Sequence, residues 1–292
     1  MKKFRAGPDD VGSRLDVFLA RKYPQFSRAS LDPLFDSGLV FRNKKPAKQG
    51  DRLRASDAIG LDEKLLFKKP DVIKLPVLYE DDDVVVVDKP AGVLTHSKGA
   101  LNLEATVASF VKDKIVDKNL SGNRAGIVHR LDRATSGLII AAKTEAAQKY
   151  LQRQFSNRKV TKVYQAIVIG WPKPTEALID APIERDPKRP QTFRVGQGGK
   201  SAQTRYRSLE HFEKDDKKYA LLELSPITGR THQLRVHLAY IGSPVLGDNL
   251  YGKGGGELYL HAHSLKLHLP SGQQKKFTSA LPDKFKRFRD NV

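Results

Sequence analysis

Four consecutive valines, Val84–Val87, run straight into Asp88-Lys89-Pro90-Ala91-Gly92. β-Branched residues are stiff at χ1 and pack well on a pleated surface. A run that is apolar at every position, not at alternate ones, predicts a strand buried on both faces, and the Pro and Gly after it predict a tight turn. Such a strand needs a sheet around it. Leu138–Ala142, Lys162–Ile169, Thr204–Leu209 and Tyr219–Leu224 are further strand candidates. Helical spacing is rarer. Thr144 and Glu145 predict the cap of a helix from Ala146 to about Phe155, and Leu234, His237, Leu238 and Ile241 share one helical face within Arg230–Ile241. Strands outnumber helices without alternating with them. The expected class is therefore α+β, with a mixed, largely antiparallel central sheet flanked by helices and loops. The polar, Gly-rich stretches 183–200 and 252–256 read as mobile loops.

A length of 292 residues admits two domains. Residues 1–62 read as a small α/β unit. Ser13 is the expected cap of a helix carrying Leu15, Phe18 and Leu19 on one face; Ser27 opens a second with Leu31, Leu34 and Phe35, stopped by Gly38. Pro33 should kink that second helix or delay its start. A hairpin is expected from Leu39-Val40-Phe41 through Asn43-Lys44-Lys45 to Arg52-Leu53-Arg54. Residues 63–76 lack a sustained period and contain Pro70 and Pro76, so they read as a linker to a second domain over 77–292.

The charge narrows the partner. With 52 Lys and Arg against 33 Asp and Glu, the chain carries +19, of which +6 falls on the first 60 residues. A spread positive excess points to a polyanion, nucleic acid or anionic membrane, and no basic amphipathic helix with an apolar face supports the membrane. No apolar stretch is long enough to span a bilayer. The opening Met1–Gly12 has positive charge without an apolar stretch behind it, so the expected location is the cytoplasm. A chain with no cysteine has no disulfide, thiolate nucleophile or Cys-based metal site.

Three familiar patterns fail on inspection. RVGQGGKS (194–201) ends like a phosphate-binding loop, but Arg194 stands where the first glycine is required, so no nucleotide cofactor is expected. His261, His263 and His268 have no nearby Asp, Glu or Cys to complete a shell, and no metal is expected there. Ser136, His129 and Asp132 lie too close in one loop to line up as nucleophile, base and orienter. What remains is Asp132 between Arg130 and Arg133, flanked by apolar strands. On residue chemistry alone it reads either as a turn cap beside a solvated basic face or as a reactive carboxylate.

The run His129-Arg130-Leu131-Asp132-Arg133-Ala134-Thr135-Ser136-Gly137 resembles the catalytic-loop signature His-Arg-Leu-Asp-x-x-Thr-Ser-Gly of the RluA-type ribosomal RNA pseudouridine synthases. In the family's order, Asp88-Lys89-Pro90-Ala91-Gly92 resembles its Lys-Pro-x-Gly turn, and Lys162-Val163-Tyr164 its Lys-x-Tyr strand. Ala202-Gln203-Thr204 resembles its Ala-x-Thr strand, and Thr228-Gly229-Arg230-Thr231-His232-Gln233-Leu234-Arg235 with Gly247-Asp248 and Tyr251-Gly252 its last block. The first unit is similar to the alpha-L RNA-binding module of a small-subunit ribosomal protein through Arg14-Leu15-Asp16, Ser27-Arg28, Gly38-Leu39-Val40 and Gly50-Asp51.

The resemblance implies an isomerase acting on uridine in RNA, with neither metal nor organic cofactor. It implies Asp132 as catalytic carboxylate, Arg230 as its cationic partner and Tyr164 against the target base. Arg130 would enter the space left by a flipped uridine, since a planar guanidinium stacks where a base stood. Arg133, Lys89 and Lys162 are expected to contact RNA in the catalytic domain, and Arg14, Ser27 and Arg28 in the small one. A monomer is expected. The alternative is a non-catalytic RNA-binding or ribosome-assembly factor with the same fold, which has no need to keep Asp132, Tyr164 and Arg230 together.

Overall fold

The computed structural model describes residues 1–68, 70–97 and 104–290. The chain divides into two compact units, one of residues 1–73 with 96–110 and 121–125, the other of 74–95, 111–120 and 126–292. Each unit has a core of its own.

In the first, β1 (Lys2–Arg5), α1 (Leu15–Lys22), α2 (Arg28–Asp36), β2 (Val40–Arg42), β3 (Lys45–Pro46) and β4 (Ala58–Leu61) place two helices with an antiparallel sheet ordered β1-β4-β2-β3. The expected helix faces form the core: Leu15, Phe18, Leu19, Leu31 and Leu34 are all fully buried. Asn43 and Lys44 both take positive φ, 51° and 68°, the backbone of a two-residue turn matched to strand twist.

Four expectations change. The cap of α1 is Arg14, not Ser13. Helix α2 starts at once after Ser27 and runs through Pro33. The last strand of the sheet, β4, lies at 58–61, while Arg52 makes only an isolated bridge to Arg14. Within the expected linker, Glu63–Leu65 form a 3-10 turn and Leu66 is buried in the first core, because its apolar side chain has that core within reach.

Among the residues expected to touch RNA, Arg14 and Arg28 both pair with the buried Asp16 carboxylate, at 3.0 Å each. Ser27 spends its hydroxyl on capping α2: it accepts from Ser30 N at 3.3 Å and meets Ser30 Oγ at 2.7 Å. The neighbourhood of Asp16 thus ties the start of α1 to the start of α2.

Helix α3 (Val107–Lys112) falls across the division between residues 110 and 111, and the second unit otherwise runs through β5 (Val77–Glu80), β6 (Val84–Lys89), β7 (Ser136–Ala142), α4 (Glu145–Ser156), β8 (Thr161–Ile169), β9 (Glu176–Asp180), β10 (Ile183–Arg185) and β11 (Phe193–Val195). It continues with β12 (Gln203–Lys214), β13 (Lys217–Pro226), α5 (Gln233–Tyr240), β14 (Leu260–His268), β15 (Gln274–Thr278) and α6 (Asp283–Asp290). A nine-stranded sheet has the order β5-β6-β7-β14-β8-β13-β12-β9, with β15 beside β14, and is antiparallel at every pairing except β7–β14. The architecture is α+β with a mixed sheet.

Alternation along the strands sets its two faces. Ala166, Val168, Ala220, Leu222 and Leu224 share one core with Leu234 and Leu238 of α5; Ile167, Tyr219 and Leu221 share another with Phe285 of α6. The four valines and all of β7 are buried, as the uninterrupted run requires.

The stretch 183–200 is not a mobile loop. It is a hairpin of β10 on β11, with Glu184 opposite Arg194 and joined to it by an ion pair at 2.8 Å. Its glycines allow close packing: a Cβ on Gly199 would sit 2.5 Å from the Ile183 carbonyl carbon.

Candidate active site

The loop carrying Asp132 is held by its backbone on several sides. Thr95 Oγ1 donates to Leu131 O at 2.9 Å and accepts from Leu131 N at 3.1 Å. The Arg133 carbonyl accepts from Gly92 N at 2.8 Å and from Lys89 Nζ at 3.2 Å. Thr135 N closes the turn onto the Asp132 carbonyl at 3.1 Å. The turn after the four valines therefore serves as a clamp on the loop.

At the loop's far end, Gly137 takes φ +113° beside β14, where a Cβ would collide with the Ala262 carbonyl. Ser136 meets His261 Nδ1 at 2.9 Å; His261 Nε2 reaches Ser279 Oγ at 3.0 Å, and that hydroxyl donates to Asp88 at 2.6 Å. His261 and His263 are thus hydrogen-bonded parts of the packing, and burial pushes the His261 imidazole down to about 4. At the near end, His129 Nε2 accepts from Ile140 N at 3.0 Å, so the ring is neutral. Burial and then the Lys162 charge push it down to about 3.

The Asp132 side chain opens into a cleft of about 560 Å³, whose lining includes Arg130, Lys162, Tyr164, Arg230, His232 and Arg235. Five residues expected at the site, Asp132, Tyr164, Arg230, Arg130 and Lys162, are thereby brought together.

The cation beside Asp132 is Arg235, which corrects the expected pairing with Arg230. Arg235 Nη1 stands 3.8 Å from Asp132 Oδ2, while Nε and Nη2 form a two-pronged bond to Asp248 at 2.7 Å each. Arg230 is exposed, and its Nε donates to Ser201 O at 3.0 Å. The reason is local. His232 takes left-handed backbone, φ 57°, so α5 begins only at Gln233 and its first turn carries Arg235 inward, leaving Arg230 in the turn before it. Gln233 locks that turn: its Oε1 accepts from Arg230 N at 3.0 Å and from Thr228 Oγ1 at 2.7 Å, and its amide donates to Gln203 O at 2.9 Å.

Asp248 explains the Gly-Asp-x-x-Tyr block. Burial alone would raise its carboxyl; Arg235 and the backbone N–H groups of Leu250 and Tyr251 overcome that and hold it below the usual carboxylate range. The Tyr251 hydroxyl accepts from Phe193 N at 3.0 Å and meets His232 Nδ1 at 2.7 Å, which turns His232 Nε2 toward Asp132 Oδ2, 3.9 Å away. Burial keeps the His232 imidazole below its ordinary value despite the pull of Asp132. Sequence reasoning missed Arg235, His232 and Tyr251 as site residues, although all three stand in the quoted blocks. For Arg235 the signal available was its place between the apolar Leu234, Val236 and Leu238 of one short helix; His232 and Tyr251 carried none of their own.

Tyr164 on β8 faces the same cleft, and burial followed by the Asp132 charge pushes its hydroxyl up. Lys162, two residues before it, is lowered by burial and pairs with no acidic group among the described residues. Arg130 is exposed at the cleft's rim, and Arg133 is exposed away from the lining.

Lys89 is corrected as an RNA contact. Its side chain is fully buried, and Nζ donates to Pro90 O and Val93 O at 2.9 Å each and to Arg133 O at 3.2 Å. Burial brings the ammonium down to about 8, which leaves it protonated at neutral pH with one carbonyl for each N–H. A phosphate has no access to it.

Likeness to known proteins decides the family. Residues 83–240 match the RNA pseudouridylate synthase family. The chain belongs to it. An RNA pseudouridine synthase of Aquifex aeolicus is 41% identical over 245 residues, covering 82% of this chain and 77% of that protein. The ribosomal large subunit pseudouridine synthase D of Xanthomonas campestris pv. campestris is 37% identical over 96% of this chain and 89% of its own. Among solved structures, human RNA pseudouridylate synthase domain containing 4 and 1 superpose with TM-scores of 0.57 and 0.59, each at 27% identity. They cover 72% and 73% of this chain and 90% and 86% of their own. This synthase is therefore an isomerase of the RluA/RluD type, and its substrate is RNA.

Proposed function

We propose that this synthase converts specific uridines of large-subunit ribosomal RNA to pseudouridine, with Asp132 as the catalytic carboxylate acting on a flipped-out nucleotide. The carrying observation is the set of groups around Asp132: Arg235 at 3.8 Å and His232 at 3.9 Å approach one oxygen, Oδ2, from the protein side, in a cleft of about 560 Å³. Oδ1 accepts no hydrogen bond from the described residues, which leaves it for a nucleotide. The relatives named for the ribosomal large subunit support the choice of RNA.

The reaction breaks the N1–C1′ bond, turns the uracil and joins C5 to C1′; C5 loses its proton and N1, freed from the sugar, gains one, so the product is an isomer of the substrate. An ionised carboxylate held by a cation that is itself fixed elsewhere suits such a step. Arg235 is fixed by Asp248, so its charge is in place before substrate arrives. Tyr164 supplies a ring for the base to pack on and a phenol, kept protonated by burial, beside the reacting face. Arg130, exposed at the rim, would occupy the vacated stack, where extrusion of a base costs a few kcal/mol.

The test incubates the protein with protein-free large-subunit RNA, small-subunit RNA and total transfer RNA, and maps pseudouridine in each. Product at discrete positions of the large-subunit RNA is expected. Product confined to the other two would overturn the choice of RNA, and no product in any would overturn the activity.

A further inference from the structure

The geometry points to a second nucleotide subsite beside the active cleft, formed by the 183–200 hairpin, that takes the nucleotide next to the target uridine. The inference rests on the reading of the cleft as the place of the flipped uridine. A groove of about 490 Å³ lies along the hairpin and shares Gly229, Arg230 and Thr231 with the active cleft, so one three-residue turn separates the two cavities. That volume falls within the range of small-ligand sites.

The chemistry of the groove is that of a nucleotide. The Arg185 guanidinium lies over the Phe193 ring, 5.1 Å from its centroid, and an N–H to the Pro190 carbonyl holds it there. A guanidinium packed against a ring on one side can offer its other face to the groove as a stacking platform, since bases stack on arginine planes. Arg185 is exposed, so that face is open. For the phosphate there are two cations. Lys200 has no acidic partner among the described residues, and Arg230, with Nε on Ser201 O, leaves both terminal nitrogens without one. The groove's acidic side chain, Glu184, is neutralised by Arg194 through bonds of 2.9 and 2.8 Å.

The hairpin is also built to be rigid. Gly196 and Gly199 press against Glu184 and the Ile183 backbone, and Phe193 N is bonded to Tyr251 Oη, the same hydroxyl that orients His232. A platform fixed to the active site in this way would read the position of a flanking base against the position of Asp132. It also accounts for the Gly-rich, basic run RVGQGGKS, which the reaction itself does not use.

The test uses the full chain and synthetic RNA fragments spanning the mapped target uridine, each with one abasic nucleotide at the first or second position on either side. Single-turnover rates are followed over a range of enzyme concentration. For the parent, one abasic position should weaken half-saturation by about tenfold, within the range one stacked base contributes, with the saturating rate unchanged. Arg185→Ala should weaken the intact fragment by a similar factor and make that abasic position neutral. Lys200→Ala should weaken all fragments alike and flatten the salt dependence. Normal turnover with equal effects of every abasic position, in parent and Arg185→Ala alike, would overturn the subsite alone. A parent that forms no pseudouridine on the intact fragment would overturn the proposed function and the subsite with it.

Discussion

Replacing Lys89 by Met separates two roles that a lysine beside a catalytic loop could have. The side chain is fully buried and its three N–H groups meet three carbonyls. Met fills similar space but donates nothing. The Arg133 carbonyl keeps its bond from Gly92 N, so the carbonyls left without a partner are those of Pro90 and Val93. An unsatisfied buried carbonyl costs about 1–3 kcal/mol, and because Pro90 is exposed and Val93 half-buried the two together predict a loss nearer the low end, about 1–2 kcal/mol of folding stability. The assay is urea denaturation of Lys89→Met and parent, paired with RNA binding over a range of salt. A clamp predicts a lower urea midpoint, a slower saturating rate and an unchanged salt slope. A phosphate contact predicts unchanged stability and a slope in log Kd against log salt reduced by about 0.7–0.9. The second outcome would refute the burial argument.

Gly137→Ala should cost more than 3 kcal/mol or prevent folding, because its φ of +113° and the Ala262 backbone exclude a Cβ; thermal unfolding of the soluble fraction reads this. His261 is neutral in the folded state with a value of about 4, below its unfolded 6.5. The unfolded chain binds more protons between those values, so stability present above pH 6.5 is lost as pH falls toward 4, by roughly 3 kcal/mol, and His261→Gln should flatten that part of the pH–stability curve. Asp248→Asn removes the carboxylate that fixes Arg235, so the saturating rate of pseudouridine formation should fall by about 10²-fold with little change in RNA affinity. An equal loss of affinity would place Asp248 in RNA binding instead.

Where a signal is local, the sequence carries it. The four valines, the apolar Leu138–Ala142 run of β7, the Thr144 cap of α4 and the Ser27 cap of α2 each lie where their own residues predict. Elements that depend on distant partners do not read this way. β1, Lys-Lys-Phe-Arg, is largely exposed and exists as a strand because β4 pairs with it. The 183–200 hairpin hides behind glycines whose use is close packing against Ile183 and Glu184. The site divides along the same line. Asp132 and Tyr164 are legible through the resemblance, but a lysine in a turn reads as surface, and only the carbonyls of a folded loop reveal Lys89 as interior. Likewise the cation facing Asp132 is set by one left-handed residue, His232, which starts α5 late and brings in Arg235 in place of Arg230.

We propose that one carboxylate, Asp132, carries the reaction. Its most direct test incubates Asp132→Asn and the parent with the same ribosomal RNA and maps pseudouridine by position. The predicted result is modification by the parent and none by Asp132→Asn, with RNA affinity retained by both. Equal product from the two proteins would contradict it.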